Sequence, residues 1–306
     1  MSMFTLCSVQ AQMFLMMAVG LAARKCGVIT QEGRRCLSQL VMTILLPCNV
    51  AYAYFGKDLS VFSNLVWVLA ISVFQQLFTY GLSLLLWRGY PKEKQAVLRY
   101  SIQFSNSGFI GLPVTESFYG SQGLVYACVF TLPINLFMWT TGLPAFIGGR
   151  CDWRVIAKKV LLHPCMIASY AGFFILLFPV PWPDFLTHSM RYFSNGLTPV
   201  SMLLVGSILA DADLKSMFQK DVIFLSLIRL LVVPLVVILL CRPLGLPAMA
   251  VQVSALLAGM PIGSMAAILA LSYRCDDVLA SNCIVFSTVL SLVTLPMIYL
   301  FMAYLA

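Results

Sequence analysis

Charge is what this sequence has least of. Lys, Arg, Asp and Glu make up 10% of its 306 residues, whereas a soluble domain carries about 25%. There are two histidines, and the ten cysteines are scattered without a CxxC pair, which leaves no spacing typical of a zinc site. No HExxH motif is present, and no phosphate-loop lysine follows a glycine-rich segment. We therefore expect neither an enzyme nor a bound metal or cofactor.

Long apolar segments, in contrast, fill the chain. The sequence is 61% hydrophobic, with a mean hydropathy of +0.94. A transmembrane helix needs about 20 apolar residues, so ten of them and short loops account for nearly the whole length. We expect an all-α integral membrane protein, with the first apolar segment retained as a span. The predicted spans are 3–23, 33–55, 61–87, 94–119, 123–148, 155–178, 186–210, 218–241, 247–273 and 278–304.

Positive charge alternates between successive loops. The odd-numbered loops hold 15 of the 19 lysines and arginines, whereas the even loops hold only Lys57, Arg191 and Arg242. The positive-inside rule then places the odd loops in the cytoplasm and both termini outside. The net charge of +8 thus reflects topology, and no nucleic-acid partner is expected. The predicted location is the plasma membrane, crossed many times.

The ten spans divide into two halves, residues 1–148 and 149–306. Five spans per half is an odd number, so the halves insert in opposite orientations. Leu45–Tyr54 (LLPCNVAYAY) parallels Leu197–Gly206 (LTPVSMLLVG). This is the inverted-repeat pattern of secondary transporters.

The fourth span of each half is interrupted by glycine and proline. The segments are Ser105–Pro113 (SNSGFIGLP) and Ala258–Ser264 (AGMPIGS). Proline removes a backbone donor, and in hydrocarbon such unpaired groups survive only inside protein or beside a water-filled cavity. Paired breaks point to a binding site, where half-helix N-termini favour an anion such as a carboxylate. The expected substrate-binding residues are Asn49, Asn106, Ser107, Gly108, Pro113, Asn135, Met260, Pro261, Ser264 and Ser287; for the polar ones, interhelical hydrogen bonding is the alternative.

Two ionisable residues lie within predicted spans. Arg229 precedes Pro234 and is either a functional charge, a structural pair or a side chain reaching the interface. Glu116 follows Pro113 and could carry a coupling proton, bind a cation, pair with Arg229 or lie at the external mouth.

Several longer motifs make the chain resemble the auxin efflux carrier family, which includes bacterial malonate and malate permeases and plant auxin carriers. The motifs are Ser105–Gly120, Thr198–Asp211, Arg229–Leu235 and Ala258–Pro296. The resemblance implies a fold like that of sodium/bile-acid symporters, in which broken helices 4 and 9 cross at their prolines. It also implies a scaffold of spans 1, 2, 6 and 7, a transport part of spans 3–5 and 8–10, an elevator motion and a homodimer.

The sequence departs from the family at two places. His163-Pro164 stands where Asn-Pro is usual, and the long central loop of plant auxin carriers is absent, which favours the short bacterial type.

The leading hypothesis is a secondary active or facilitative carrier, a permease or efflux carrier, for a small organic anion such as a mono- or dicarboxylate. Two alternatives stay open: an exchanger coupled to a proton or a sodium ion, and a ligand sensor built on a transporter fold. Membrane lipid and a second copy of the chain are the other expected partners.

Overall fold

The computed structural model describes residues 3–57, 62–148, 153–178, 182–210 and 216–305. Throughout these ranges the regular structure is helical, and no strand is formed. The α-helices are α1 (Met3–Lys25), α2 (Gln31–Leu40), α3 (Leu46–Tyr52), α4 (Phe62–Leu86), α5 (Lys92–Gln103), α6 (Leu112–Phe137), α7 (Leu143–Ile147), α8 (Trp153–Leu161), α9 (Pro164–Leu177), α10 (Asp184–Leu209), α11 (Lys220–Leu227), α12 (Val233–Cys241), α13 (Ala248–Ala258), α14 (Met265–Ser272) and α15 (Asp277–Leu305). The predicted start of the second half, residue 149, lies outside the described ranges, as does Asp211 at the end of one family motif.

Four π-helical turns each lead directly into an α-helix, and each ends two residues before a proline. The turns are Val41–Leu45, Ser107–Gly111, Met138–Gly142 and Ile228–Val232, and the prolines are Pro47, Pro113, Pro144 and Pro234. A proline ring collides with the carbonyl four residues earlier and offers no N–H to it. Widening the preceding turn relieves the collision, so the helix continues past the proline.

Five stretches of the described chain are long and apolar enough to cross a membrane: Asn64–Leu86, Ser107–Ile147, Asp184–Leu209, Lys220–Leu244 and Asp277–Met302. The second of these has 41 residues and contains Gly120 in a non-helical conformation (φ 63°, ψ −163°). An all-helical class with several membrane-crossing stretches is therefore confirmed.

One predicted span is wrong in its extent. Residues 155–178 were expected to form a single helix, but α8 ends at Leu161 and α9 begins at Pro164. His163 is extended (φ −65°, ψ 132°), because the ring of a following proline disfavours the helical conformation.

The helices group into two compact units, each made of several separate stretches of the chain. Unit 1 comprises Met1–Asn64, Gly108–Val129 and Leu161–Asp211, and unit 2 comprises Leu65–Ser107, Phe130–Val160 and Ala212–Ala306.

Unit 1 is built on very close helix packing. A Cβ added to Gly206 of α10 would lie 1.9 Å from the carbonyl oxygen of Met17 on α1, and one added to Gly20 of α1 would lie 2.2 Å from that of Leu203. The two backbones touch because each helix places a glycine against the backbone of the other, and small residues at such contacts are common between membrane helices.

Unit 2 is linked by buried polar contacts. Ser72 of α4 donates to the carbonyl of Phe130 on α6 at 2.6 Å. Gln103, the last residue of α5, donates to Ser83 of α4 at 3.2 Å and accepts from Thr141 at 2.9 Å. These bonds hold α5 in place at the point where it ends.

Candidate substrate-binding site

The first helix interruption follows α5. The helix ends at Gln103, Phe104 is extended (φ −110°, ψ 116°), and helical structure resumes with the π turn Ser107–Gly111. Ser105 and Asn106 lie between. Serine and asparagine side chains compete for nearby backbone groups, which weakens helix formation at this place.

The interruption lies in the predicted segment Ser105–Pro113, but it does not coincide with Pro113, where the resemblance places the crossing. Pro113 is the second residue of α6 and is buried there, several residues after the extended segment. The π turn before it already accommodates the proline ring. The chain therefore unwinds at the polar residues Ser105 and Asn106 instead.

The second interruption separates α13 from α14. The helix α13 ends at Ala258 and α14 begins at Met265, so Pro261 lies inside the break, as predicted. A Cβ added to Gly259 would come within 2.5 Å of the Ile298 side chain. The missing side chain lets α15 pack directly against the end of α13.

The two interruptions pair with each other in unit 2. Ser105 and Ile262 form an isolated antiparallel bridge, and the N–H of Asn106 donates to the carbonyl of Pro261 at 2.7 Å. The two broken segments thus meet over a short extended stretch.

Two further bonds complete this crossing. The N–H of Gly263 donates to the carbonyl of Phe104 at 3.0 Å, and the N–H of Ile262 donates to the Ser287 hydroxyl on α15 at 3.1 Å. A Cβ on Gly263 would lie 3.2 Å from the Ser105 carbonyl oxygen, so glycine permits the close approach. Backbone groups freed by the breaks are thereby satisfied within protein, as an apolar environment requires.

Polar side chains remain at the crossing. The Asn106 amide donates to the Ser264 hydroxyl at 3.1 Å. The buried hydroxyl of Ser105 has no hydrogen-bond partner among the described residues. Ser264 also precedes the first turn of α14 without capping it, and Ser107 is buried at the start of the π turn. The crossing therefore combines an amide, hydroxyls and the uncapped start of α14.

Three other predicted substrate-binding residues have no side-chain hydrogen bond to the crossing among the described residues. Met260 is completely buried inside the second break, and Gly108 is half-buried in the π turn after the first. Asn135 is half-buried on α6, and no side-chain contact ties it to the crossing within the described ranges. Asn106, Ser264 and Ser287 are the predicted polar residues that the structure joins by hydrogen bonds to the paired segments.

A second polar cluster lies in unit 1. Asn49 of α3 is completely buried, and its amide donates to Ser194 of α10 at 2.8 Å and to the Glu116 carboxylate at 3.3 Å. The Asn49 carbonyl oxygen has no partner within the described ranges. Ser194 was not predicted; its signal is its position just before the segment Leu197–Gly206, which parallels the one holding Asn49.

Arg229 lies in the π turn Ile228–Val232 of unit 2 and is completely buried. All three guanidinium nitrogens lack a hydrogen-bond partner in the part of the chain that the structure describes. The expected pairing of Arg229 with a carboxylate thus has no counterpart there. Nor do the described residues gather three His, Cys, Asp or Glu side chains in a metal-binding arrangement.

Comparison with known proteins gives the same class throughout. A family model described as membrane transport protein matches residues 6–150 and 153–299. An uncharacterized transporter of Methanothermobacter thermautotrophicus is 29% identical over 287 residues, covering 92% of this chain and 94% of that protein. An uncharacterized transporter of Methanocaldococcus jannaschii is 25% identical over 294 residues, with the same coverage. The resemblance to the auxin efflux carriers is confirmed, and the chain belongs to the membrane transport protein family that contains them.

Proposed function

We propose that this protein carries a small organic anion, a mono- or dicarboxylate, across the plasma membrane. The observation that carries the proposal is the hydrogen-bonded crossing of two interrupted helices, with Asn106 and Ser264 at its centre. Membership of a transporter family supplies the general activity. The chemistry of the crossing supplies the substrate class.

An anion suits the crossing for electrostatic reasons. The first turn of a helix has N–H groups without helical partners, and the aligned peptide dipoles add partial positive charge there. The helix α14 starts at the crossing without a side-chain cap. The Asn106 amide and the Ser105 hydroxyl add neutral donors, which together with the helix start suit a carboxylate.

Ten spans remain our proposal for the topology, and element lengths support it. At about 1.5 Å per residue, the 41-residue stretch Ser107–Ile147 would extend about 60 Å, twice the hydrocarbon thickness. The break at Gly120 divides it into two. The helices α13 and α14, with 11 and 8 residues, are each too short to cross alone, but together they match one span.

An elevator motion of one part against a scaffold is likewise proposed. In its support, unit 1 contains α1–α3, α9 and α10, the helices of the expected scaffold spans 1, 2, 6 and 7. Unit 2 contains α4, α5 and α11–α15, from the expected transport part. Gly108–Val129 belongs to unit 1, although the resemblance assigns it to the transport part. We also propose external termini and a homodimer.

A coupled exchanger is the second candidate, and the Asn49–Glu116–Ser194 cluster favours it. A carboxylate on a membrane-crossing stretch marks an ion or proton pathway by default. Here the Glu116 carboxylate accepts from an asparagine that is itself completely buried. Such a group could take up and release a proton or bind a sodium ion during the transport cycle.

The test combines binding and flux. Purified protein is screened for thermal stabilisation by acetate, malonate, malate and the uncharged malonamide, because a ligand that binds the native state raises its apparent stability. Uptake of the stabilising anion into proteoliposomes is then measured for the wild type and for Asn106→Ala. Ser169→Ala is the control, since that buried hydroxyl bonds to the Cys165 carbonyl of its own helix, at 2.8 Å.

We expect Asn106→Ala to lower uptake at least tenfold, equivalent to about 1.4 kcal/mol of lost interaction, with nearly unchanged stability. Ser169→Ala should behave as the wild type. Stabilisation without uptake would replace the carrier by a ligand sensor. No stabilisation by any carboxylate would refute the proposed substrate class.

A further inference from the structure

The buried Arg229 carries a charge that the described part of unit 2 leaves uncompensated. Its side chain is completely covered, and Nε, Nη1 and Nη2 have no hydrogen-bond partner among the described residues. Arginine stays charged in proteins and offers five donors. Burying such a charge without a partner is strongly unfavourable, so the position requires an anion from somewhere.

The helices around Arg229 fix its depth in the unit. At one end of α11, the ring of Phe218 lies 6.0 Å from that of Phe286 on α15. Further along, Pro234 of α12 and Ile298 of α15 both approach Gly259. A Cβ added to that glycine would lie 3.5 Å from Pro234 and 2.5 Å from Ile298. Phe218 is thus paired with Phe286, and Pro234 with Ile298. The continuous stretch α11–α12 and the helix α15 therefore run side by side in the same direction.

Arg229 falls between these two contact points, in a π turn that packs against α15. The facing stretch of α15 carries Ser287, Ser291 and Thr294, all buried. Ser287 accepts the N–H of Ile262 from the second break. The second break extends along α15 from Ser287, which binds Ile262, to Ile298, which contacts Gly259, and Arg229 lies within this length of the same unit.

The described carboxylates of unit 2 lie at the starts of helices, away from Arg229. Glu93, Asp221 and Asp277 belong to the first turns of α5, α11 and α15, and Asp276 directly precedes α15. Even Asp221, on the helix that leads into the π turn, is eight residues from Arg229, about 12 Å along the axis, and accepts from Tyr90 at 2.8 Å. The mid-helix position of Arg229 separates it from all four.

We infer that Arg229 is the counter-charge for the transported anion and binds a carboxylate of the substrate. The planar guanidinium matches a carboxylate with two parallel hydrogen bonds. Two buried hydroxyls without partners in the described chain, on Ser226 three residues before it and on Thr294 of α15, are additional donors. The inference rests on the proposed function and adds a dedicated cation to the crossing. In the conformation described the guanidinium is covered, so the substrate reaches it in another conformation of the cycle.

The experiment measures two quantities for each variant: the melting temperature without ligand and the apparent affinity for malonate from thermal shifts, with malonamide as the uncharged comparison. The variants are Arg229→Gln, which removes the charge, and Arg229→Lys, which keeps it. Arg88→Gln is the matched control, because it removes one positive charge from the same unit at an exposed position, where Nε donates to the Leu84 carbonyl.

We expect Arg229→Gln to melt at the same or a higher temperature without ligand, since an uncompensated charge is removed, and to bind malonate at least tenfold more weakly. Arg229→Lys should recover part of that affinity, and Arg88→Gln should bind as the wild type. An Arg229→Gln protein that fails to fold, or melts lower while binding malonate normally, would give Arg229 a structural partner and overturn the inference. If the wild type itself binds no carboxylate, the proposed function fails first.

Discussion

Replacing Gly206 by alanine should destabilise the protein strongly through a single methyl group. The added Cβ would lie 1.9 Å from the Met17 carbonyl oxygen, while ordinary contact begins at 3.4 Å. The helices α1 and α10 must therefore separate by about 1.5 Å. A gap of about 0.5–1 Å already forfeits a quarter to a half of the dispersion energy of the contacts along an interface.

The free energy of unfolding should fall by about 3 kcal/mol, the upper part of the range for overpacking. The loss is large because the clashing atom belongs to the backbone and cannot rotate away. At roughly 2–4 °C per kcal/mol for chains of 150–250 residues, the melting temperature should fall by about 6 °C or more. Gly20→Ala should act in the same direction, since its Cβ would lie 2.2 Å from the Leu203 oxygen.

The assay follows a thiol-reactive fluorophore during heating in detergent. The buried thiols of Cys165, Cys241 and Cys283 become reactive only on unfolding. Gly81→Ala in α4 is the matched control, because nothing lies within 4 Å of its Cβ. Alanine there should stabilise the helix by about 0.5–1 kcal/mol. The reasoning about close packing fails if Gly206→Ala melts at or above the temperature of Gly81→Ala.

Three further predictions concern coupling, topology and thiol reactivity. Glu116→Gln should still bind substrate but lose the pH dependence of uptake and any proton-driven accumulation; accumulation in response to an imposed pH gradient would exclude Glu116 as the proton carrier. Cys275 should resist an impermeant maleimide added outside sealed cells and react in inverted vesicles, and the reverse would overturn the orientation. The pKa of the Cys275 thiol is raised by burial, and further by the carboxylates of Glu93 and Asp276. The labelling rate should therefore continue to rise at pH values where an ordinary thiol is already fully ionised. Glu93→Gln lowers that pKa and should speed labelling at pH 7.5.

Apolar length alone was sufficient to predict several helices. The predicted spans 61–87, 186–210 and 278–304 closely match α4, α10 and α15, because a predominantly apolar segment of this length is typical of a membrane-crossing helix. Pro261 also marked the second break correctly. In both cases the signal lies in the local sequence.

The errors came from features that local sequence does not determine. Pro113 was expected to interrupt its helix, but a π turn absorbs the proline, and the choice between a π turn and a break depends on what the neighbouring segment can bond. The chain unwinds at Ser105 and Asn106 because Gly263 and Pro261 satisfy the backbone carbonyl of Phe104 and the N–H of Asn106. Ser194 was not predicted, because it belongs to the polar cluster only through its hydrogen bond with Asn49, which is 145 positions away in the sequence.

The crossing also has a consequence for how the chain is made. Asn106 and Ser264 are 158 positions apart, so the first break enters the membrane long before its partner has been synthesised. During that interval its backbone groups have no strand-like neighbour, and closing so long a loop is entropically costly. Assembly of the crossing is therefore a late step of biogenesis. The amino-terminal half, produced by itself, should be a substrate for membrane quality control until the other half is supplied.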